Sequence, residues 1–151
     1  MDIPVQYLAS YDADWPKLGY AHAGDAGFDL RITETAVVPA GGVRVIPCGF
    51  VIAVPDGYEM QIRPRSGISA KTDLLVMLGT IDAGYRGEIK IAVRNLGEEP
   101  ARIERGTRLA QGVIAPVVSA RFEQTFDLFG EAVETPAGRG GGGFGSTGVS
   151  A

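Results

Sequence analysis

The stretch Gly49–Arg63, GFVIAVPDGYEMQIR, decides the class of fold. Gly49 to Val54 is a dense β-branched run, and Pro55–Asp56–Gly57 ends it with residues that tight turns favour. Tyr58 to Arg63 then alternates. Tyr58, Met60 and Ile62 point one way and Glu59, Gln61 and Arg63 the other, which is the period of a half-buried strand. Upstream, Asp2 to Ala9 reads as a strand with Ile3, Val5 and Tyr7 on one face. Phe28 to Ile32 is another, and Ala36 to Val38 and Val43 to Ile46 flank the turn Pro39–Ala40–Gly41–Gly42. Downstream, Leu74 to Leu78 and Gly79 to Asp82 read as the arms of a hairpin. Glu88 to Leu96 alternates with Ile89, Ile91 and Val93 toward a core, and Ala101 to Glu104, Arg108 to Val118 and Phe122 to Phe126 complete the set. Ser66 to Asp73 is the candidate helix, and Ser10 to Asp25 is a long loop. Roughly ten or eleven short strands at this spacing predict an all-β sandwich or barrel.

Composition agrees. The chain has 151 residues, which favours one domain with a real core. Its 22 glycines and 9 prolines lie between short apolar runs, as strands with tight turns require. The net charge of −4 argues against polynucleotide binding, which normally needs a basic surface. A small anionic substrate would need a local arginine cluster and a divalent metal. The single Cys48 excludes an internal disulfide and a Cys-based zinc site, and its apolar setting reads as a small buried hydrophobe. The single His22 excludes a His-rich metal site. The amino terminus has no basic region followed by an apolar stretch of signal length, and nothing approaches a membrane span. The expected location is therefore the cytoplasm, with no membrane partner.

The eleven residues Gly138 to Gly148, GRGGGGFGSTG, carry an unusual cargo. Seven are glycine, and set among them are Arg139, Phe144, Ser146 and Thr147. Glycine lets a backbone approach a ligand and present its N–H groups to phosphate. A guanidinium grips phosphate, and a ring stacks on a base. The segment reads as an arm that closes over a nucleotide; the plain alternative is a disordered tail.

Four further polar clusters fall at turns. Gly24–Asp25–Ala26–Gly27–Phe28–Asp29–Leu30 reads as an outer-sphere metal site or as a turn with solvated aspartates. Pro64–Arg65–Ser66–Gly67 enters the candidate helix and reads as an anion site or as an N-capping Ser66 beside a surface arginine. Within Gly79 to Glu88, Asp82 reads as a semi-buried base for a water, with Tyr85 flat on a sugar; the alternative is an exposed turn aspartate and a core tyrosine. Gly106–Thr107–Arg108–Leu109–Ala110–Gln111 puts Arg108 and Gln111 at the start of a strand.

Together and in order, DAGFDL, PRSG, GTIDAGYRGE, GTRLAQ and GRGGGGFGSTG resemble the five motifs of the trimeric dUTPase family, from about Asp25 to Gly148. The resemblance implies a jelly-roll or β-barrel domain over 1–134 with one short helix. A flexible Gly-rich arm over 135–151 would close on the active site. It implies a homotrimer with active sites shared between subunits, and hydrolysis of dUTP to dUMP and pyrophosphate with Mg²⁺. That reaction limits uracil in DNA and supplies dUMP for dTTP synthesis.

By the same resemblance, Asp82 activates the water that attacks the α-phosphorus, and Asp29 holds Mg²⁺ through coordinated waters. Arg65, Ser66, Gly67 and Gln111 bind the phosphate chain. Gly79 and Ile81 belong to the base-reading hairpin, and Tyr85 stacks on the deoxyribose and blocks a 2′-hydroxyl. Phe144 covers the uracil, and Arg139, Gly145, Ser146 and Thr147 complete the substrate contacts at the γ-phosphate end. Many members carry an Asn and two further residues before the Gly–x–Ile–Asp run. Here Val76–Met77–Leu78 leads directly into Gly79, a shorter hairpin.

Two other readings share the fold. A dCTP deaminase needs a glutamate on the following strand, where this chain has Ala92. A nucleotide-binding regulatory protein, acting through a protein partner, would have little need to retain Asp82.

Overall fold

The computed structural model describes residues 1–124. Met1–Ser119 forms one compact unit. The expected contacts at Arg139, Phe144, Gly145, Ser146 and Thr147 lie outside the described residues, as does the end of the strand expected at 122–126. Residues 122–124 carry no strand.

The described residues form eleven strands and one short helix. In chain order they are β1 (Val5–Tyr7), β2 (Phe28–Arg31), β3 (Ala36–Val38), β4 (Val43–Pro47), β5 (Phe50–Ile52), β6 (Tyr58–Pro64), α1 (Ser66–Lys71), β7 (Leu74–Val76), β8 (Gly79–Ile81), β9 (Lys90–Asn95), β10 (Ala101–Ile103) and β11 (Arg108–Pro116). They pair in four antiparallel sheets, β1–β5, β10–β3, β2–β11–β6–β8 and β4–β9–β7. The all-β expectation holds. The turn after Val54 is as read: Tyr58 N–H donates to the Pro55 carbonyl at 3.2 Å, and Gly57 takes φ +80°. The 74–82 hairpin is not formed. β7 pairs with β9 and β8 with β6, so Met77 and Leu78 link two different sheets.

The alternation seen in the sequence fixes the core. Met60 and Ile62 on β6, and Ile89, Ile91 and Val93 at β9, pack with Leu30, Ile46, Phe50 and Leu109 in one cluster. Each such side chain contributes about 1.5–3 kcal/mol by leaving water. Cys48 is fully buried among them, and burial pushes its thiol up to about 12.

The loop between β1 and β2 has no regular structure but is firmly anchored. Arg105 Nη1 meets Asp12 Oδ2 at 2.8 Å, and its guanidinium stacks 4.6 Å from the Trp15 ring. Tyr11 stacks against Tyr7 at 4.5 Å and donates its hydroxyl to the Pro16 carbonyl at 2.6 Å. The Tyr7 hydroxyl accepts from Leu18 N–H at 2.8 Å, which ties the loop to β1.

Candidate active site

β11 is the spine of the site. It lies between β2 and β6, so Gln111 faces Asp29 on one side and Arg63 on the other. On β2, Phe28 and Leu30 enter the core, which turns Asp29 and Arg31 outward. Two glycines permit this packing. A Cβ on Gly112 would lie 2.6 Å from the Phe28 ring, and one on Gly27 would lie 2.6 Å from Gln111 Oε1. Gln111 Nε2 donates to the Pro64 carbonyl at 2.8 Å, fixing the chain just before Arg65.

Arg108 and Gln111 are three residues apart and would face opposite sides of a regular strand. A register shift between Arg108 and Ala110 changes that parity: Arg108 pairs with Arg31, while Ala110 pairs with Leu30. Arg108 therefore shares the face of Asp29. The Asp29 carboxylate is held between two guanidiniums, with Arg65 Nε on Oδ1 at 2.8 Å and Arg108 Nη1 on Oδ2 at 3.0 Å. Arg65 Nη1 also donates to the Arg108 carbonyl at 2.9 Å. All three side chains keep access to solvent. Arg65, not Ser66, is the N-cap of α1, so the N-capping role read for Ser66 does not hold.

Asp29, Arg65, Ser66, Arg108 and Gln111 line one polar cleft of about 450 Å³. Its further wall is the end of the long loop, with His22 and Asp25. There Asp25 Oδ2 accepts from His22 N–H at 2.8 Å, closing a tight turn. Gly67 is exposed and does not line the cleft. A separate groove of about 310 Å³, among Met1, Ile3, Leu18, Tyr20 and Phe28, is lined by no charged side chain among the described residues.

Asp82, Tyr85 and the strand carrying Gly79 and Ile81 lie elsewhere. Ile81 pairs with Met60, so Asp82 follows at the Tyr58 end of β6, whereas Arg65 leaves the opposite end. From the level of Met60 to Arg65 is about 16 Å at the rise of an extended strand. Asp82 is exposed rather than semi-buried, and Tyr85 is 43% exposed rather than a core residue. The turn itself is well defined. Tyr85 N–H donates to the Asp82 carbonyl at 3.0 Å, and the Tyr85 hydroxyl donates to the Glu88 carbonyl at 3.1 Å. A Cβ on Gly87 would collide with that hydroxyl.

The model of the family described as dUTPase matches residues 13–148. The deoxyuridine 5'-triphosphate nucleotidohydrolase of Caulobacter vibrioides is 47% identical over 144 residues, covering 91% of this chain and 89% of the relative. The chain belongs to the dUTPase family. Among solved structures, the G164S mutant of Staphylococcus bacteriophage 80alpha dUTPase with dUpNHpp superposes with a TM-score of 0.85 at 30% identity. It covers 98% of this chain and 99% of the phage chain. The D95N mutant dUTPase of phage phi11 of S. aureus, described with a structural Mg(II) ion, gives 0.75 at 27% identity and covers 85% and 99%.

For a dUTPase, the donor set around Asp29 suits magnesium only in an outer-shell role. Among the described residues no group of three or more His, Cys, Asp or Glu side chains converges on a metal position. Each Asp29 oxygen already accepts from an arginine and keeps lone-pair capacity for a water. Mg²⁺ retains most of its waters and binds phosphate oxygens directly, a habit compatible with a single carboxylate in a polar cleft. Sequence reasoning placed Arg108 on a strand but gave it no partner, and gave the long loop no role. Odd spacing from Gln111 hid the first, and contacts distant in sequence hid the second.

Proposed function

We propose that this member of the dUTPase family hydrolyses dUTP to dUMP and pyrophosphate at a site built from two copies of the chain. One copy supplies the Asp29–Arg65–Arg108 cleft and a second supplies the Asp82 turn; a homotrimer closes such an arrangement as a ring. The observation that carries the reading is the carboxylate of Asp29 fixed between two guanidiniums in a cleft whose residues come from three of the motifs. The separation of Asp82 from Arg65 along β6 supports the shared site.

In this reading Arg65, Arg108 and Ser66 orient the phosphate chain, and Gln111 holds the backbone that presents Arg65. Asp82, exposed in its turn, accepts a proton from the water that attacks the α-phosphorus. Bound Mg²⁺ supplies charge neutralisation on the phosphate oxygens, with Asp29 holding it through water. Tyr85 packs on the deoxyribose where a ribose 2′-hydroxyl would clash. Gly79 and Ile81 offer backbone groups to the base. The arm, with Arg139, Phe144, Gly145, Ser146 and Thr147, covers the substrate and excludes bulk water. Phosphoryl chemistry of this kind is mostly positioning and electrostatics, which such a set supplies. Limiting uracil in DNA and providing dUMP follow from the reaction. The deaminase reading has no support at Ala92, which carries no carboxylate.

The test is turnover of dUTP, dTTP, dCTP and UTP with Mg²⁺, separated by ion-exchange chromatography. Conversion of dUTP alone to dUMP and pyrophosphate, lost in Asp82→Asn, supports the reading. Ammonia release from dCTP, or tight dUTP binding without turnover, contradicts it.

A further inference from the structure

Behind the Asp29–Arg108 pair lies a second cavity of about 270 Å³. It shares Gly19, Ala21, Asp29 and Arg108 with the phosphate cleft, so the two are neighbours across a common wall. Its other lining residues include Lys17 and Arg31. The charge balance of the two spaces differs. The phosphate cleft sets two guanidiniums, Arg65 and Arg108, against two carboxylates, Asp25 and Asp29. The second cavity sets three cations, Lys17, Arg31 and Arg108, against Asp29 alone. An anion leaving the first space therefore meets a more positive one next to it.

The cations there have hydrogen-bonding capacity to spare. Arg31 follows Asp29 by two residues on β2 and faces the same side. Its Nη1 donates to the Gly106 carbonyl at 2.9 Å, which among the described residues occupies one of its five N–H donors. The Lys17 ammonium rests 4.3 Å from the Tyr7 ring and 5.3 Å from the Tyr11 ring, contacts that use none of its three N–H bonds. Tyr11, which is buried, and Pro16 also line the space, joined by the bond from the Tyr11 hydroxyl to the Pro16 carbonyl.

We propose that this cavity is a pyrophosphate subsite, with Lys17, Arg31 and Arg108 as its ligands, which holds the leaving diphosphate on its way out of the cleft. In-line attack at the α-phosphorus drives the leaving group away from the nucleophile, and Arg108, which lines both spaces, is the cation common to them. The choice of ligand rests on the dUTP-hydrolysis reading; the anion site itself does not.

The experiment is calorimetric titration of inorganic pyrophosphate into the full chain and into Lys17→Met, Arg31→Gln and Lys17→Arg, each checked by thermal melting. Pyrophosphate affinity should fall about tenfold in Lys17→Met and Arg31→Gln, and stay near the original in Lys17→Arg. The KM for dUTP should change less than about twofold, because the substrate cleft keeps Arg65 and Arg108. Unchanged pyrophosphate affinity in both folded variants overturns the subsite. So does a KM for dUTP that rises in step with the loss of pyrophosphate, which would mean a single site. A chain that binds pyrophosphate through Lys17 and Arg31 but does not turn over dUTP would refute the hydrolysis reading and leave the anion site standing.

Discussion

Asp82 and Arg65 stand at opposite ends of one strand, β6. Ile81 is in register with Met60, and Arg65 follows Pro64 at the far end. In the proposed reading, a triphosphate gripped by Arg65 meets the Asp82 of a second copy of the chain. The active form should therefore be an oligomer. Light scattering of the purified chain should give three times the chain mass under assay conditions; a fully active monomer would contradict this.

Asp29 orders two arginines while remaining open to solvent, so its removal should damage catalysis far more than folding. Asp29→Ala should lower kcat/KM by about 10²- to 10³-fold. Exposed ion pairs contribute only about 0–1 kcal/mol each, so the melting temperature should move by only a few degrees. Steady-state kinetics beside a thermal melt checks both halves.

Tyr85 is held upright by the Glu88 carbonyl and by the absence of a side chain on Gly87. If its ring excludes the 2′-hydroxyl, Tyr85→Ala should raise the kcat/KM of UTP relative to dUTP by about tenfold. Tyr85→Phe should keep most of the discrimination, because the ring supplies it. A panel of both nucleotides on both variants decides the point.

Arg105 ties the long loop to the body through Asp12, the Ser10 carbonyl and the Trp15 ring. Arg105 also holds the Asp12 carboxyl below its ordinary range. A carboxyl shifted down stabilises the fold above its ordinary titration range, and that contribution is lost as pH falls through the lowered value. Arg105→Ala should therefore open the loop to proteolysis within 10–25 and raise the KM for dUTP, since His22 and Asp25 wall the cleft. Limited proteolysis with mass mapping reads the first effect.

Cys48 is buried with its thiol pushed up to about 12. A thiol raised on folding favours the folded state below its ordinary titration, and that contribution is lost as pH rises from about 9 towards 12. Native protein at pH 8 should resist thiol reagents that label it at once in denaturant. Prompt labelling of the native protein would contradict the burial.

The sequence revealed most where a strand buries one face. Met60 and Ile62, and Ile89, Ile91 and Val93, point inward as their alternation predicts. Pairing was harder to read, because the short Met77–Leu78 link resembles a hairpin turn although β7 and β8 find partners on β9 and β6. Asp29, Arg65, Ser66 and Gln111 were legible as site residues through their motifs, and they share a cleft. Arg108 was not, because only the irregularity in β11 turns it toward Asp29. The wall formed by His22 and Asp25 belongs to a loop whose earlier part is held by Arg105, far along the chain, and no local pattern announces that contact.

The most direct test of the shared site is a mixing experiment. Asp82→Asn chains keep the cleft and Arg65→Ala chains keep the Asp82 turn, and each alone should be nearly inactive. Unfolded together in equal amounts and refolded, they should regain about a quarter of the wild-type dUTP turnover, as random assortment in a ring predicts. A mixture as inactive as its components would contradict a site built from two copies.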